Sequence, residues 1–109
     1  MVSIRAEKKK NRYQLDIRGH AGYNPGNDIV CASVSILAYT MAQEMQELDD
    51  LGLFRNMECL MEEGNVHIVA EIREARGWRF DALFHTILTG FELLNNRYPQ
   101  NVHLDWVGE

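Results

Sequence analysis

Val30, Val34, Leu37, Met41, Met45 and Leu48 recur at intervals of three and four residues, the spacing of one buried face of an α-helix. Asp28, just ahead of them, has the short acidic side chain of a helix N-cap. The pattern therefore predicts a helix with Ile29, Val30 and Cys31 in its first turn, running to about Asp50 and closed by Gly52. Upstream, Ile4 and the alternating Tyr13, Leu15 and Ile17 predict two strands around Lys8-Lys9-Lys10-Asn11-Arg12, a run with the polarity of a solvated hairpin turn. Downstream, Met57, Cys59 and Met61, then Val66, Ile68, Ala70 and Ile72, alternate with polar residues on either side of Glu63-Gly64-Asn65. That is the mark of a second hairpin, with Cys59 on its apolar face as a structural thiol. Phe80, Phe84, Ile87, Phe91, Leu94 and Tyr98 form a second amphipathic helix that Pro99 ends, and Val102, Leu104 and Trp106 make a closing strand.

The order ββαββαβ fits an α+β fold, a two-layer sandwich in which both helices cover one face of a mostly antiparallel sheet. A length of 109 residues, 46% of them hydrophobic and with no linker composition between elements, fits a single domain spanning 1–109. Leu60 and Val69 fall out of phase with the apolar series of their strands, and Trp78 stands before the second helix. Apolar residues left on the outer face need a partner, so a homodimer is expected.

The chemistry concentrates between the first hairpin and the first helix. Gly19-His20-Ala21 is followed by a cluster of turn residues, Gly22, Asn24, Pro25, Gly26 and Asn27, and then by Asp28-Ile29-Val30-Cys31-Ala32-Ser33-Val34-Ser35. Such a loop folds back readily and brings an imidazole and a thiol together. A thiol attacks as thiolate, and a free pKa of roughly 8.5 leaves little thiolate at neutral pH. The helix N-terminus favours the anion by ~0.3–1 kcal/mol, less than one pKa unit, so a base is still required, and His20 is the nearest. Gly19, Gly22, Tyr23 and Gly26 are expected to form a flexible loop that closes over a peptide segment, with Tyr23 covering an apolar side chain. Asp28 has two readings, a cap or an orienter of the His20 imidazolium, and its charge near Cys31 opposes thiolate formation. First-turn N–H groups near Cys31 are candidate oxyanion donors, for which a capping Asp28 would compete. Ser35, one turn deeper on the helix, either hydrogen-bonds inside the site or bonds the carbonyl four residues back.

Gly-His-Ala, a glycine-containing loop and Asp-Ile-Val-Cys-Ala-Ser-Val-Ser together resemble the motif of the ribosomal-processing cysteine protease family, Prp, closely over residues 19–35. The resemblance implies a cysteine endopeptidase that removes a short N-terminal extension from a large-subunit ribosomal protein, so its partner would be that ribosomal protein precursor. It further implies that His20 and Cys31 are the catalytic pair and Asp28 and Ser35 the supporting residues, and it too points to a homodimer. Cys31 would attack the peptide carbonyl, and His20 would take the thiol proton and later protonate the leaving amine. A non-catalytic ribosome-assembly or peptide-binding module, in which His20, Asp28 and Cys31 merely hold the loop together, is the alternative. A thiol-dependent amidase or transferase is a third reading.

Two cysteines without close spacing favour the reducing cytoplasm, and no apolar run approaches the ~20 residues of a membrane span, so no membrane partner is expected. His20, Cys31, Cys59 and His67 lack metal-ligand spacing, and neither metal nor cofactor is expected. His67, His85 and His103 read as surface or element-edge residues. A net charge of −5 opposes a nucleic-acid surface but suits a cationic substrate, which Glu44, Glu47, Asp49 and Asp50 would attract.

Overall fold

The computed structural model describes residues 1–73 and 77–108. Its elements run β1 (Val2–Lys9), β2 (Arg12–Arg18), α1 (Ile29–Asp50), β3 (Phe54–Glu62), β4 (Asn65–Ile72), α2 (Gly77–Arg97) and β5 (Val102–Val107). The strands form one sheet in the order β3-β4-β2-β1-β5, antiparallel throughout except where β5 lies parallel to β1. This is the α+β arrangement with order ββαββαβ that the periodicities predict. Among the described residues no helix is long and apolar enough to cross a membrane.

Alternation decides which face is buried. Ile4 and Ala6 of β1, Tyr13, Leu15 and Ile17 of β2, and Ile68, Ala70 and Ile72 of β4 are all buried, and they meet Val34, Met41 and Met45 of α1 and Phe80, Phe84 and Phe91 of α2 in one core. Tyr13 lies at its aromatic centre, 4.9 Å from the Phe80 ring and 5.0 Å from that of Phe84. α1 begins on Asp28, as its cap geometry requires, and it ends at Leu51, with Gly52 following at φ +75°.

Several expectations are corrected. The first hairpin turns on Lys10-Asn11 alone; Lys8, Lys9 and Arg12 belong to the strands. Lys8 is no solvated turn residue, because its ammonium reaches Asp81 of α2 at 2.7 Å, and the Tyr13 hydroxyl donates to the same carboxylate oxygen at 2.5 Å. Burial and that carboxylate push the Tyr13 phenol up to about 12. Cys59 is opposite Ile68 but is exposed rather than structural core, since β3 is the edge strand; what burial it has pushes its thiol up. Val69 is 2% exposed although it lies outside the main core, opposite Gln14 and Glu58, so it offers no surface for a partner. Leu60 and Trp78 do remain exposed. His67 sits within β4, half-buried, its Nδ1 2.5 Å from Asp16.

Candidate active site

β2 ends at Arg18, and two backbone contacts fix the course of the chain beyond it. Gly19 has φ +92°, and a Cβ there would stand 2.5 Å from the Met1 carbonyl oxygen, so the position excludes any side chain. Its N–H donates to the Gly64 carbonyl at 3.0 Å, tying the end of β2 to the Glu63-Gly64 turn between β3 and β4. His20 is exposed, with its ring over that turn: a Cβ on Gly64 would be 3.0 Å from His20 Nε2.

Ala21 then dives into the core, 2% exposed. Its N–H donates to the Cys31 sulfur at 3.1 Å, and its carbonyl accepts from the Asn101 side chain at 2.9 Å. An N–H aimed at sulfur supports negative charge there. The loop is braced further on. Tyr23 packs edge-on against Tyr98 with ring centroids 5.3 Å apart and is not among the residues that line the cavity. Gly22 and Gly26 both adopt positive φ, with open space where a Cβ would go.

The two readings of Asp28 separate here. Its Oδ1 accepts from the N–H groups of Val30 and Cys31, each at 2.9 Å, and its Oδ2 accepts from Tyr23 at 2.9 Å and Asn24 at 3.3 Å. Both oxygens are engaged by backbone, so Asp28 caps α1 and fastens the loop; it does not bond His20. The Cys31 N–H foremost, followed by those of Asn24, Tyr23 and Val30, holds its carboxyl below the usual carboxylate range against the cost of burial. The first-turn N–H groups of Val30 and Cys31 are thereby spent on the cap and are not vacant oxyanion donors.

Cys31 and His20 line one cavity of about 360 Å³, together with Gly19, Ser35, Gly64 and Asn65. Among the described residues no hydrogen bond joins ring to sulfur; each faces the shared space with its own backbone neighbour. Ser35 lies on the cavity wall, and the hydroxyl that bonds back to a carbonyl four residues earlier is that of Ser33, to Ile29 at 2.7 Å. Val34, Ala38, Tyr39, Met61 and Val66 make the remainder largely apolar. Two carboxylates missed by the sequence reading, Glu62 and Glu63, stand at this cavity. Glu44, Glu47, Asp49 and Asp50 lie some ~20–28 Å further along α1 from Cys31.

The family model of the cysteine protease Prp matches residues 1–103. The chain belongs to the Prp cysteine protease family. It is a cysteine peptidase on that ground, and solved structures agree on the fold. The essential ribosomal processing protease Prp from S. aureus, in complex with a covalently linked product peptide, is 17% identical with a TM-score of 0.73, covering 97% of this chain and 99% of its own. The same S. aureus protease with a substrate peptide gives 16% identity and 0.71 over the same shares. SMU.848 from Streptococcus mutans is 23% identical, with a TM-score of 0.73, covering 100% of this chain and 96% of its own. No curated protein matches the sequence. Within the Prp family fold, the candidate thiol stands at the start of the first helix and the candidate imidazole two residues beyond the second strand.

Proposed function

We propose that this Prp family member removes a short N-terminal extension from a large-subunit ribosomal protein precursor, with Cys31 as nucleophile and His20 as general base. The observation that carries the reading is the single cavity lined by a helix-start thiol and an imidazole, with apolar walls suited to a peptide side chain. The Cys31 sulfur attacks the scissile carbonyl while His20 takes the thiol proton. Collapse of the tetrahedral adduct breaks the C–N bond, and His20 returns the proton to the leaving amine. Water, deprotonated by His20, then hydrolyses the thioester. Catalytic hydrogen bonds often close only once substrate is bound, which suits a ring and a sulfur that share a cavity without touching. Asp28 fixes the helix start that carries Cys31, and Ser35 offers a hydroxyl to the same cavity. The S. aureus relative, captured with a covalently linked product peptide, supports covalent chemistry in this fold.

The test is incubation with the precursor from the same genome and mass spectrometry of its N-terminus, beside Cys31→Ala. Shortening by wild type alone is expected; shortening by Cys31→Ala overturns the assignment of the nucleophile. The absence of a His20–Cys31 bond favours the second reading, a peptide-binding module whose thiol only receives the Ala21 N–H. Alkylation against pH separates the two, with exposed Cys59 as an internal control. The peptidase reading expects Cys31 to react faster than Cys59 at neutral pH and to slow in His20→Ala. The same proposal includes a cytoplasmic location, supported by two free cysteines, and a homodimer, supported by exposed Leu60 and Trp78 and tested by sedimentation equilibrium.

A further inference from the structure

β3 is one edge of the sheet, and the direction of its free backbone groups follows from two bonds on the far side of β4. The Gly19 N–H donates to the Gly64 carbonyl at 3.0 Å and the Ile72 N–H to the Asn11 carbonyl at 2.9 Å, which brackets the β2–β4 ladder. In an antiparallel pair every second residue spends its backbone N–H and C=O on the partner, so in β4 those residues are Val66, Ile68 and Ala70. Asn65, His67 and Val69 therefore turn theirs towards β3, where they meet Glu62, Leu60 and Glu58. Met57, Cys59 and Met61 are left with N–H and C=O directed off the sheet. Among the described residues none of those groups has a backbone partner. Successive free pairs lie ~6.6 Å apart along the edge.

Exposed edges are ordinarily guarded by lysine, proline or a bulge. β3 holds neither lysine nor proline, and its irregularity falls between Phe54 and Asn56, outside the stretch 57–61. Met57 and Met61 are half-buried against the core, and Cys59 between them is exposed. Met61 also lines the cavity of Cys31 and His20, together with Ser35, Ala38 and Tyr39 of α1, whereas β5, the opposite edge, contributes no residue to it. We infer that β3 is a docking edge for the substrate, on which the extended peptide adds as a sixth strand, bonding the backbone of Met57, Cys59 and Met61 beside the cavity. Continuity of this edge with the cavity argues for substrate rather than for a second copy of this chain. The inference rests on the peptidase reading and deepens it. Backbone pairing is indifferent to side chains, so β3 fixes the path of the peptide while the cavity walls select what it carries.

The test measures binding separately from cleavage. Cys31→Ala protein is titrated into a fluorescent peptide spanning the extension junction of the ribosomal protein precursor, by anisotropy, and the titration is repeated with each peptide nitrogen methylated in turn. Methylation at every second residue of one stretch is expected to weaken binding by about tenfold, the size of a lost hydrogen bond, and at the residues between by less than about twofold. Cys59→Pro removes a donor that β4 does not use. In the Cys31→Ala background it should bind the unmodified peptide about tenfold more weakly than Cys59→Ala, which keeps the N–H, with Tm within a few degrees. Losses without alternation, or a Cys59→Pro protein that binds as tightly as Cys59→Ala, overturn the inference. If Cys59→Pro does not fold, the methylation scan decides alone. A Cys59→Pro substitution that splits a dimer in sedimentation while peptide affinity holds gives the edge to a second copy and also overturns it. Peptide cleaved by wild type but bound without alternation leaves the peptidase reading standing; peptide neither bound nor cleaved removes both.

Discussion

Gly64→Ala tests whether the turn between β3 and β4 positions the His20 ring. Two effects are separable in the structure. The first is backbone strain: Gly64 has φ +70°, where an L-residue costs roughly 1–2 kcal/mol, partly offset by the ~0.4–1 kcal/mol that alanine gains by restricting the unfolded chain. A net loss of about 1 kcal/mol, with an unfolding entropy of about 2.1 cal/mol/K per residue over 109 residues, lowers Tm by about 4 °C. The second is steric. The new Cβ would stand 3.0 Å from His20 Nε2 and 3.2 Å from Cε1, so the exposed ring must give way by a few tenths of an ångström. If a misplacement of about 1 Å costs ~100-fold, this one should cost ~3- to 10-fold in kcat/KM. Gly52→Ala supplies the control, since Gly52 has φ +75° with open space around it and lies away from the cavity. Gly64→Asn supplies the converse, because asparagine enters the left-handed region more easily but still carries a Cβ. Thermal melts and peptide cleavage should show all three variants near wild type in fold, Gly52→Ala losing stability alone, and Gly64→Asn losing activity more than stability. Equal activity in Gly64→Ala and Gly52→Ala would refute the steric link between the turn and the ring.

Other consequences are as direct. Asp28→Asn removes a carboxylate whose folded pKa lies below its ordinary 3.8, so the stability it supplies is full above that value and is lost as pH falls through the lower, folded one. Urea midpoints from pH 7 to pH 2 should show the gap between wild type and Asp28→Asn narrowing only at the acid end. Tyr13 behaves in the opposite sense: its folded value of about 12 against an ordinary 10.0 gives stability present below pH 10 and lost as pH rises through 12, on the order of 2 kcal/mol. Tyr13→Phe should flatten that alkaline limb in denaturant titrations, where Lys8 and Asp81 otherwise share the phenol. Association with a cationic peptide should slow as salt rises, and Glu62→Gln with Glu63→Gln should reduce the slope in stopped-flow traces. A rate independent of salt would eliminate steering.

Period-two and period-three-to-four patterns carried the fold because most apolar residues here face a single core. Tyr13, Leu15 and Ile17 could occupy only one side of β2, and Val30 to Leu48 only one side of α1. What the pattern could not carry was position across the sheet. Cys59 has the phase of a core residue, but it sits on an edge strand, and strand order depends on pairings distant in sequence. Val69 has the phase of a surface residue, but it is buried opposite Gln14 and Glu58. At the site, Asp28 as a cap was readable from its place before an amphipathic run. Asn65 was not, because Glu63-Gly64-Asn65 looks like any hairpin turn until β2 brings His20 against it.

The hydrogen bond from Asn101 to the Ala21 carbonyl joins positions 80 residues apart, beside the parallel seam of β1 and β5. The segment that presents an N–H to the sulfur is therefore clamped only once a residue 80 positions further along the chain has folded back onto it. The donor beside Cys31 is thus held in place by a contact of long sequence separation, whose loop closure costs entropy, and not by the local loop alone.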